Sequence, residues 1–123
     1  MPSEFLIGVV GPCGAGKTTL VRNLRSLGYR SKVIAQEHSY VQDMWQRMTR
    51  PDVLLFLEAS YPVTMARKGF MWSEKEYQEQ LHRLRHAKTH ANWIIDTDKI
   101  TPEEVCAQFL SKLPGLIQNR QSY

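Results

Sequence analysis

A glycine-rich segment with one lysine and two threonines carries the clearest chemical signal in the sequence. Residues 11–18 read GPCGAGKT and match the pattern G-x-x-x-x-G-K-[ST] in full. In that pattern glycines let backbone N–H groups turn toward phosphate oxygens, while the lysine reaches the outer phosphates. The sequence therefore predicts a site for the phosphates of a nucleoside triphosphate, with ATP and Mg²⁺ as cofactors, built from Gly11, Pro12, Cys13, Gly14, Ala15, Gly16, Lys17, Thr18 and Thr19.

The side chains of this segment are expected to have separate tasks. Lys17 would stabilise the charge of the outer phosphates during catalysis, and the Thr18 hydroxyl would ligate Mg²⁺. Thr19 would donate to an inner phosphate. Cys13 stands at a variable position of the pattern, so we expect a tolerated small residue there, and a redox switch is the alternative.

Acidic residues at the ends of predicted strands are candidates for holding the metal. Ligands of open parallel sheets bind at the carboxyl ends of the strands, and Glu37, Glu58, Asp96 and Asp98 follow apolar runs, whereas Asp52 precedes one. Glu37 is the first choice, as holder of a metal-bound water or as catalytic proton acceptor, because its strand is expected beside the first strand. Glu58 follows the most apolar run and is the alternative metal residue. As a third reading, either carboxylate is a solvated loop acid.

Composition and charge limit the classes of ligand and partner that we expect the chain to bind. A chain of 123 residues, 42% hydrophobic and 23% charged, predicts one domain over residues 1–123. The formal net charge of +4 favours a phosphorylated small-molecule ligand over nucleic acid. The longest apolar runs, residues 5–10 and 53–57, are far shorter than the ~20 residues of a membrane helix, so no membrane partner is expected. Two cysteines outside any metal or redox spacing favour a reduced, cytoplasmic setting.

Apolar runs alternate with amphipathic segments along the chain, and this order predicts the elements that position the candidate residues. Strands are expected over residues 5–10, 32–36, 52–57 and 93–96. Since these runs are apolar without strict alternation, both faces of the sheet should be covered. The predicted fold class is α/β, a three-layer α/β/α sandwich around a small parallel sheet of about four strands.

Capping residues and apolar periodicity predict where the helices begin and end. A first helix from Lys17 should have an inner stripe of Leu20, Val21, Leu24 and Leu27. Later helices are expected to begin at Ser39, Ser60, Ser73 and Thr101. The helix from Ser73 should run to about residue 91, and the last helix should end at Pro114.

Two longer stretches, together with the glycine-rich motif, resemble the nucleoside and nucleotide kinase branch of the P-loop NTPase superfamily. Residues 51–69, PDVLLFLEASYPVTMARKG, resemble the family's fourth strand, the helix after it and an arginine at the mouth of the lid. Residues 92–105, NWIIDTDKITPEEV, resemble its last strand and the loop that approaches the adenine. The resemblance implies a P-loop NTPase fold.

This resemblance also implies roles for further residues. Arg67 matches the lid arginine that contacts phosphates during transfer, so it is a candidate catalytic residue. Either Arg83 or Arg85 would supply a second lid charge. Asp96 and Asp98 would lie next to the nucleotide base.

The chain is shorter than that family between its second and third predicted strands. Only residues 38–51 fill a gap that in the family carries the acceptor-binding helices. The acceptor pocket is therefore expected to be very small, supplied by a second subunit of a homodimer, or absent. Two functions follow: a small kinase that transfers the γ-phosphoryl group of ATP to a nucleoside, nucleotide or other small-molecule acceptor, or a nucleotide-binding module with little or no hydrolysis. Residues 70–72 are expected to plug the core, with a dimer contact as the alternative.

Overall fold

A computed structural model describes residues 5–69 and 71–121, with side chains as far as residue 117. Within these residues the chain forms four strands and six α-helices. In chain order they are β1 (Ile7–Val10), α1 (Lys17–Ser26), β2 (Ser31–Val33), a 3-10 turn (Gln36–His38), α2 (Met44–Met48), β3 (Val53–Glu58), α3 (Tyr61–Lys68), α4 (Glu74–Arg83), α5 (Arg85–His90), β4 (Trp93–Asp96) and α6 (Pro102–Gln121).

The four strands form one parallel sheet in the order β2-β1-β3-β4. Strand β1 pairs with β2 from Ile7 opposite Ser31 and with β3 from Ile7 opposite Val53. It is therefore an inner strand, and all four of its residues are buried. Because the strands are parallel, the glycine-rich loop that follows β1, residues 11–16, lies between the carboxyl ends of β2 and β3.

Helices cover both faces of the sheet. Alternate β3 residues point to opposite faces: Leu55 belongs to an apolar cluster with side chains of α1 and α6, whereas Phe56 packs in a second cluster with side chains of α2 and α5. The architecture is thus mixed α/β with an all-parallel four-stranded sheet, compatible with the α/β sandwich expected from the sequence. None of the helices in the described part of the chain is long and apolar enough to cross a membrane.

The segment after β2 differs from the prediction. The second strand covers only Ser31–Val33, and Gln36 begins a 3-10 turn. The Gln36 side chain holds this compact path, because its Oε1 accepts from the Trp45 N–H at 2.7 Å and its Nε2 donates to the Val41 carbonyl at 2.8 Å. Ser39 does not begin a helix. Its hydroxyl accepts from the Val41 N–H at 3.1 Å in a local turn, and α2 begins at Met44.

The single helix expected from Ser73 to residue 91 is two helices, α4 and α5, because the Gln42 side chain interrupts the backbone hydrogen bonds between them. Gln42 Nε2 donates to the His82 carbonyl at 3.1 Å, and Gln42 Oε1 accepts from the His86 N–H at 3.4 Å. These two backbone groups would otherwise pair with each other in a continuous helix. The prediction of one helix was therefore wrong.

Two helix-end predictions were also wrong. Leu27 was expected on the inner stripe of α1, but it follows the last residue of that helix and is 58% exposed. Pro114 was expected to end the last helix, yet α6 continues through it to Gln121. Leu116 and Ile117 beyond the proline pack against the core, and this burial offsets the helix bond that proline removes.

The predicted core plug at residues 70–72 is described in part, since Phe70 lies outside the described residues. Trp72 is buried, and its ring meets Tyr77 edge to face with ring centres 5.9 Å apart. Met71 is 84% exposed. Trp72 thus plays the expected part in the core, and the dimer contact stays a prediction.

Candidate functional site

Glycine is required in the loop after β1 by backbone shape and by close neighbours. Gly11 has φ +155°, and a Cβ there would stand 2.4 Å from the Leu57 carbonyl oxygen. At Gly14, with φ +84°, a Cβ would stand 3.1 Å from Thr64. Gly16 has φ +100° and directly precedes α1, whose first turn has no side-chain cap. The sequence thus forms a tight backbone turn at the N-terminus of a helix, which carries partial positive charge.

Lys17 folds back beneath this loop. Its Nζ donates to the carbonyls of Gly11 at 2.6 Å and Pro12 at 3.1 Å, and lies 2.9 Å from Glu37 Oε2. Both members of the ion pair are buried, with side chains 8% and 5% exposed. Glu37 Oε1 has no hydrogen-bond partner among the described residues. A buried carboxylate with spare acceptor capacity therefore stands beside the lysine of the loop.

The structure separates the two candidate metal acids. Glu37 reaches Lys17 because β2 lies directly beside β1, the arrangement on which its choice depended. Glu58 instead pairs with Lys88, whose Nζ lies 3.0 Å from Glu58 Oε1. It lines a different cavity, together with Pro12.

This second cavity, of about 300 Å³, also holds the two aspartates expected beside the base. Asp98 Oδ1 accepts from the Ser60 N–H at 2.8 Å, and Asp96 Oδ1 accepts from the Asp98 N–H at 2.9 Å. Burial raises the pKa of the Tyr77 hydroxyl here, and the carboxylates of Asp98, Glu58 and Asp96 add to the effect. The acidic residues at and after the ends of β3 and β4 thus gather here rather than at Lys17.

Arg67 reaches the glycine-rich loop from α3. Its Nη1 donates to the Gly14 carbonyl at 3.1 Å and to Thr97 Oγ1 at 2.9 Å, while Nη2 donates to the Thr97 carbonyl. The Thr97 hydroxyl in turn bonds the carbonyls of Ala15 at 3.2 Å and Glu58 at 2.9 Å. Among the three residues after Ile95, it is therefore Thr97 that joins the loop to β3 and β4.

A cavity of about 670 Å³ opens beside the loop and has the size of a small-molecule site. Its polar lining includes Lys17, Glu37, Arg67 and Thr97 together with the threonines at the start of α1. Its apolar lining includes Val33, Leu57, Ile100, Pro102 and Val105. One cavity thus combines cationic and N–H groups with apolar surface.

Gln80 of α4 is a site residue that the sequence did not indicate. Its Oε1 accepts from the Cys13 N–H at 2.9 Å, and its Nε2 donates to Cys13 Sγ at 3.2 Å. Only 6% of Gln80 is exposed. The two residues are 67 positions apart, and a glutamine within an amphipathic helix gives no signal of such a contact. Cys13 is consequently held by α4 as well as by its own loop.

Comparisons with known proteins give no family for the chain. No protein-family model matches it, and no curated protein matches its sequence.

Proposed function

We propose that the chain is an ATP-binding P-loop protein, and that it works as a small kinase transferring the γ-phosphoryl group to a nucleoside, nucleotide or other small metabolite. The observation that carries this proposal is the loop of glycines at +155°, +84° and +100° in φ, with a buried lysine and a carboxylate 2.9 Å apart beneath it. Helix N-termini preceded by such loops favour phosphate oxygens.

In the proposed complex, Lys17 exchanges two neutral partners for anionic ones. Its Nζ now bonds the carbonyls of Gly11 and Pro12, and phosphate oxygens are stronger acceptors for a charged donor. Charge–charge bonds of this kind contribute more than bonds to neutral carbonyls. After this exchange, Glu37 remains the protein partner of Lys17.

The residues present fit a magnesium ion. The Thr18 hydroxyl at the exposed first turn of α1 would hold it, and Glu37 would hold one of its waters through Oε1, the buried atom with no partner among the described residues. Magnesium supplies charge neutralisation at the phosphate oxygens when it is bound. Glu37 itself orients Lys17.

Arg67 is the proposed phosphoryl-transfer arginine. Its guanidinium already bonds the Gly14 carbonyl at 3.1 Å, so it stands at the rim of the loop. Its exposure leaves N–H groups for a phosphate, and the Thr97 contacts orient its plane. In this role Arg67 neutralises charge that develops on the transferring group.

The two cavities suggest where the remaining ligand groups bind. The apolar lining of the larger cavity, which includes Ile100 and Pro102, suits a nucleotide base. The smaller cavity adjoins Pro12 and combines cations with carboxylates, which suits an acceptor that carries both phosphate and hydroxyl groups. Its charged residues are Arg85, Lys88, Glu58, Asp96 and Asp98. Asp96 and Asp98 are thus better suited to the acceptor than to the base.

A nucleotide-binding module with slow or no hydrolysis is the second candidate. The segment between β2 and β3 contains only a 3-10 turn of three residues and a five-residue helix, α2. Such a segment leaves little surface for binding an acceptor. In this alternative, the loop, Lys17 and Glu37 bind the nucleotide, but no phosphoryl group is transferred.

Turnover measurements separate the two candidates. We expect phosphate transfer from Mg·ATP to depend on an added acceptor from a panel of nucleosides, nucleotides and small hydroxylated metabolites. Arg67→Ala should lower kcat by ~10²–10³-fold while nucleotide affinity changes little, as for the loss of one transition-state donor. The control is Arg22→Ala, an exposed arginine of α1, which should match wild type. Tight ATP binding without turnover on any acceptor would leave only the binding module.

A further inference from the structure

We propose that Cys13, Glu37 and His38, which line the larger cavity, form a binding site for a thiophilic divalent metal ion such as Zn²⁺. Their ligand atoms lie within 4.8 Å of one another. No other group of three or more cysteine, histidine or acidic side chains converges in this way within residues 5–69 and 71–121. All three residues line the cavity beside the glycine-rich loop.

The distances between these atoms match those around a tetrahedral ion. Cys13 Sγ lies 3.6 Å from His38 Nε2 and 3.9 Å from Glu37 Oε2, and the latter two atoms are 3.7 Å apart. With metal bonds of ~2.3 Å to sulfur and ~2.0 Å to nitrogen or oxygen, tetrahedral geometry separates ligand atoms by roughly 3.3–3.6 Å. Shifts of a few tenths of an ångström would bring the three atoms onto one ion.

A buried atom without a partner supports the same site independently. Glu37 is only 4% exposed, and its Oε1 accepts no hydrogen bond from any described residue. Burial of a carboxylate oxygen without a partner is costly, so a cation there would be stabilising. Oε2 is the oxygen 3.9 Å from Cys13 Sγ and 3.7 Å from His38 Nε2, and Lys17 Nζ lies 2.9 Å from it. An ion at Oε2 would therefore compete with Lys17, and Oε1 is a second oxygen of the same carboxylate that has no described partner.

The residues around the cluster favour a soft metal and leave it accessible. Gln80 Nε2 donates to Cys13 Sγ at 3.2 Å, a bond that orients the sulfur. Thiolate with imidazole selects zinc-like ions, whereas Mg²⁺ prefers oxygen ligands. The His38 side chain is 60% exposed, so an ion can enter from solvent. Three protein ligands leave a fourth position for water or another ligand.

The metal site shares Glu37 with the proposed nucleotide site. Metal binding would therefore regulate nucleotide binding. Zinc held by Glu37 would remove the carboxylate from Lys17 and stand where the outer phosphates are expected. Zinc should consequently weaken Mg·ATP binding, a consequence that depends on the proposed function. The metal site itself does not depend on it.

Cobalt spectroscopy of the full chain tests the site directly. Co²⁺ should give a near-ultraviolet thiolate-to-cobalt charge-transfer band and intense visible bands of tetrahedral cobalt, and stoichiometric Zn²⁺ should abolish both. Cys13→Ser should remove the charge-transfer band, and His38→Ala should weaken cobalt affinity by at least ~10-fold, the loss caused even by outer-shell changes. Both residues are partly or largely exposed, so the variants should fold, as circular dichroism can verify.

Matched controls separate this site from other thiols and histidines. Cys106→Ala alters the other cysteine, and His82→Ala an exposed histidine of α4; both should retain the wild-type cobalt spectrum. The stacked pair His86 and His90, with ring centres 4.2 Å apart, is the alternative site. Binding without a sulfur band, or binding lost in His86→Ala but kept in Cys13→Ser and His38→Ala, would overturn the proposal. A cobalt site in a chain that fails to bind Mg·ATP would contradict the proposed function alone.

Discussion

Two lysine–carboxylate pairs stand at the carboxyl ends of the strands beside β1, and they differ in burial rather than in distance. Lys17 and Glu37 are 2.9 Å apart with side chains 8% and 5% exposed. Lys88 and Glu58 are 3.0 Å apart with side chains 49% and 38% exposed. Water and salt screen the second pair but hardly reach the first. At nearly equal distances, one region therefore contains a buried ion pair that is costly to break, and the other contains a weak surface ion pair.

Removal of each carboxylate is the strongest way to test this difference. Glu37→Ala leaves Lys17 buried with only two carbonyl partners, and breaking a buried pair typically costs ~3–5 kcal/mol. Glu58→Ala should cost no more than ~1 kcal/mol, because its lysine is exposed to solvent. Unfolding in urea, followed by circular dichroism, measures both.

The double variant Lys17→Met/Glu37→Leu sharpens the same comparison. Replacing both members of a buried pair by apolar residues is often neutral or stabilising, so it should recover much of the stability lost in Glu37→Ala. Similar losses of unfolding free energy in Glu37→Ala and Glu58→Ala would show that burial does not distinguish the two regions.

The link between α4 and the loop should have an intermediate effect. Gln80→Ala leaves the Cys13 N–H without its acceptor, and a partly buried donor left unsatisfied costs ~1–3 kcal/mol. Gln78→Ala, at an exposed position of the same helix, is the control and should lie within about 0.5 kcal/mol of wild type. If thermal unfolding found equal stability for the two variants, Gln80 would not support the loop.

The smallest effect is expected for the coupling between Lys88 and Glu58. A double-mutant cycle with alanine at each position should give ~0.2–1 kcal/mol, as exposed pairs do. This coupling should nearly vanish in 1 M salt, where the screening length is about 3 Å. A coupling that persists in high salt would mean that the second cavity is shielded from solvent more than its exposed side chains indicate.

The part of the site that lies in one continuous stretch could be predicted from the sequence. The motif at residues 11–18 carries its own strand, turn and helix start, so β1, the loop and α1 follow from local signals. Glu37 required one further assumption, that β2 neighbours β1, and the sheet order agrees with it. Backbone preference and strand order therefore account for the Lys17–Glu37 region.

Contacts between distant side chains could not be predicted in this way. Gln80 reaches Cys13 across 67 positions, and Gln42 divides the helix expected after Ser73 by bonding His82 and His86. A polar side chain carries no periodic sequence signal for such partners. Pro114 shows a related limit, because burial of the residues beyond it outweighs a local helix-ending preference.

Calorimetric titration of wild type and Lys17→Ala with Mg·ATP tests the central claim, that the loop at residues 11–16 and Lys17 bind a triphosphate. Wild type should bind, and Lys17→Ala should bind at least ~10-fold more weakly, because a hydrogen bond to a charged group contributes about 1.5–3 kcal/mol. Lys32→Ala, an exposed lysine of β2, should bind as wild type does. Equal affinity in wild type and Lys17→Ala, or no binding of either Mg·ATP or Mg·GTP to wild type, would contradict the account.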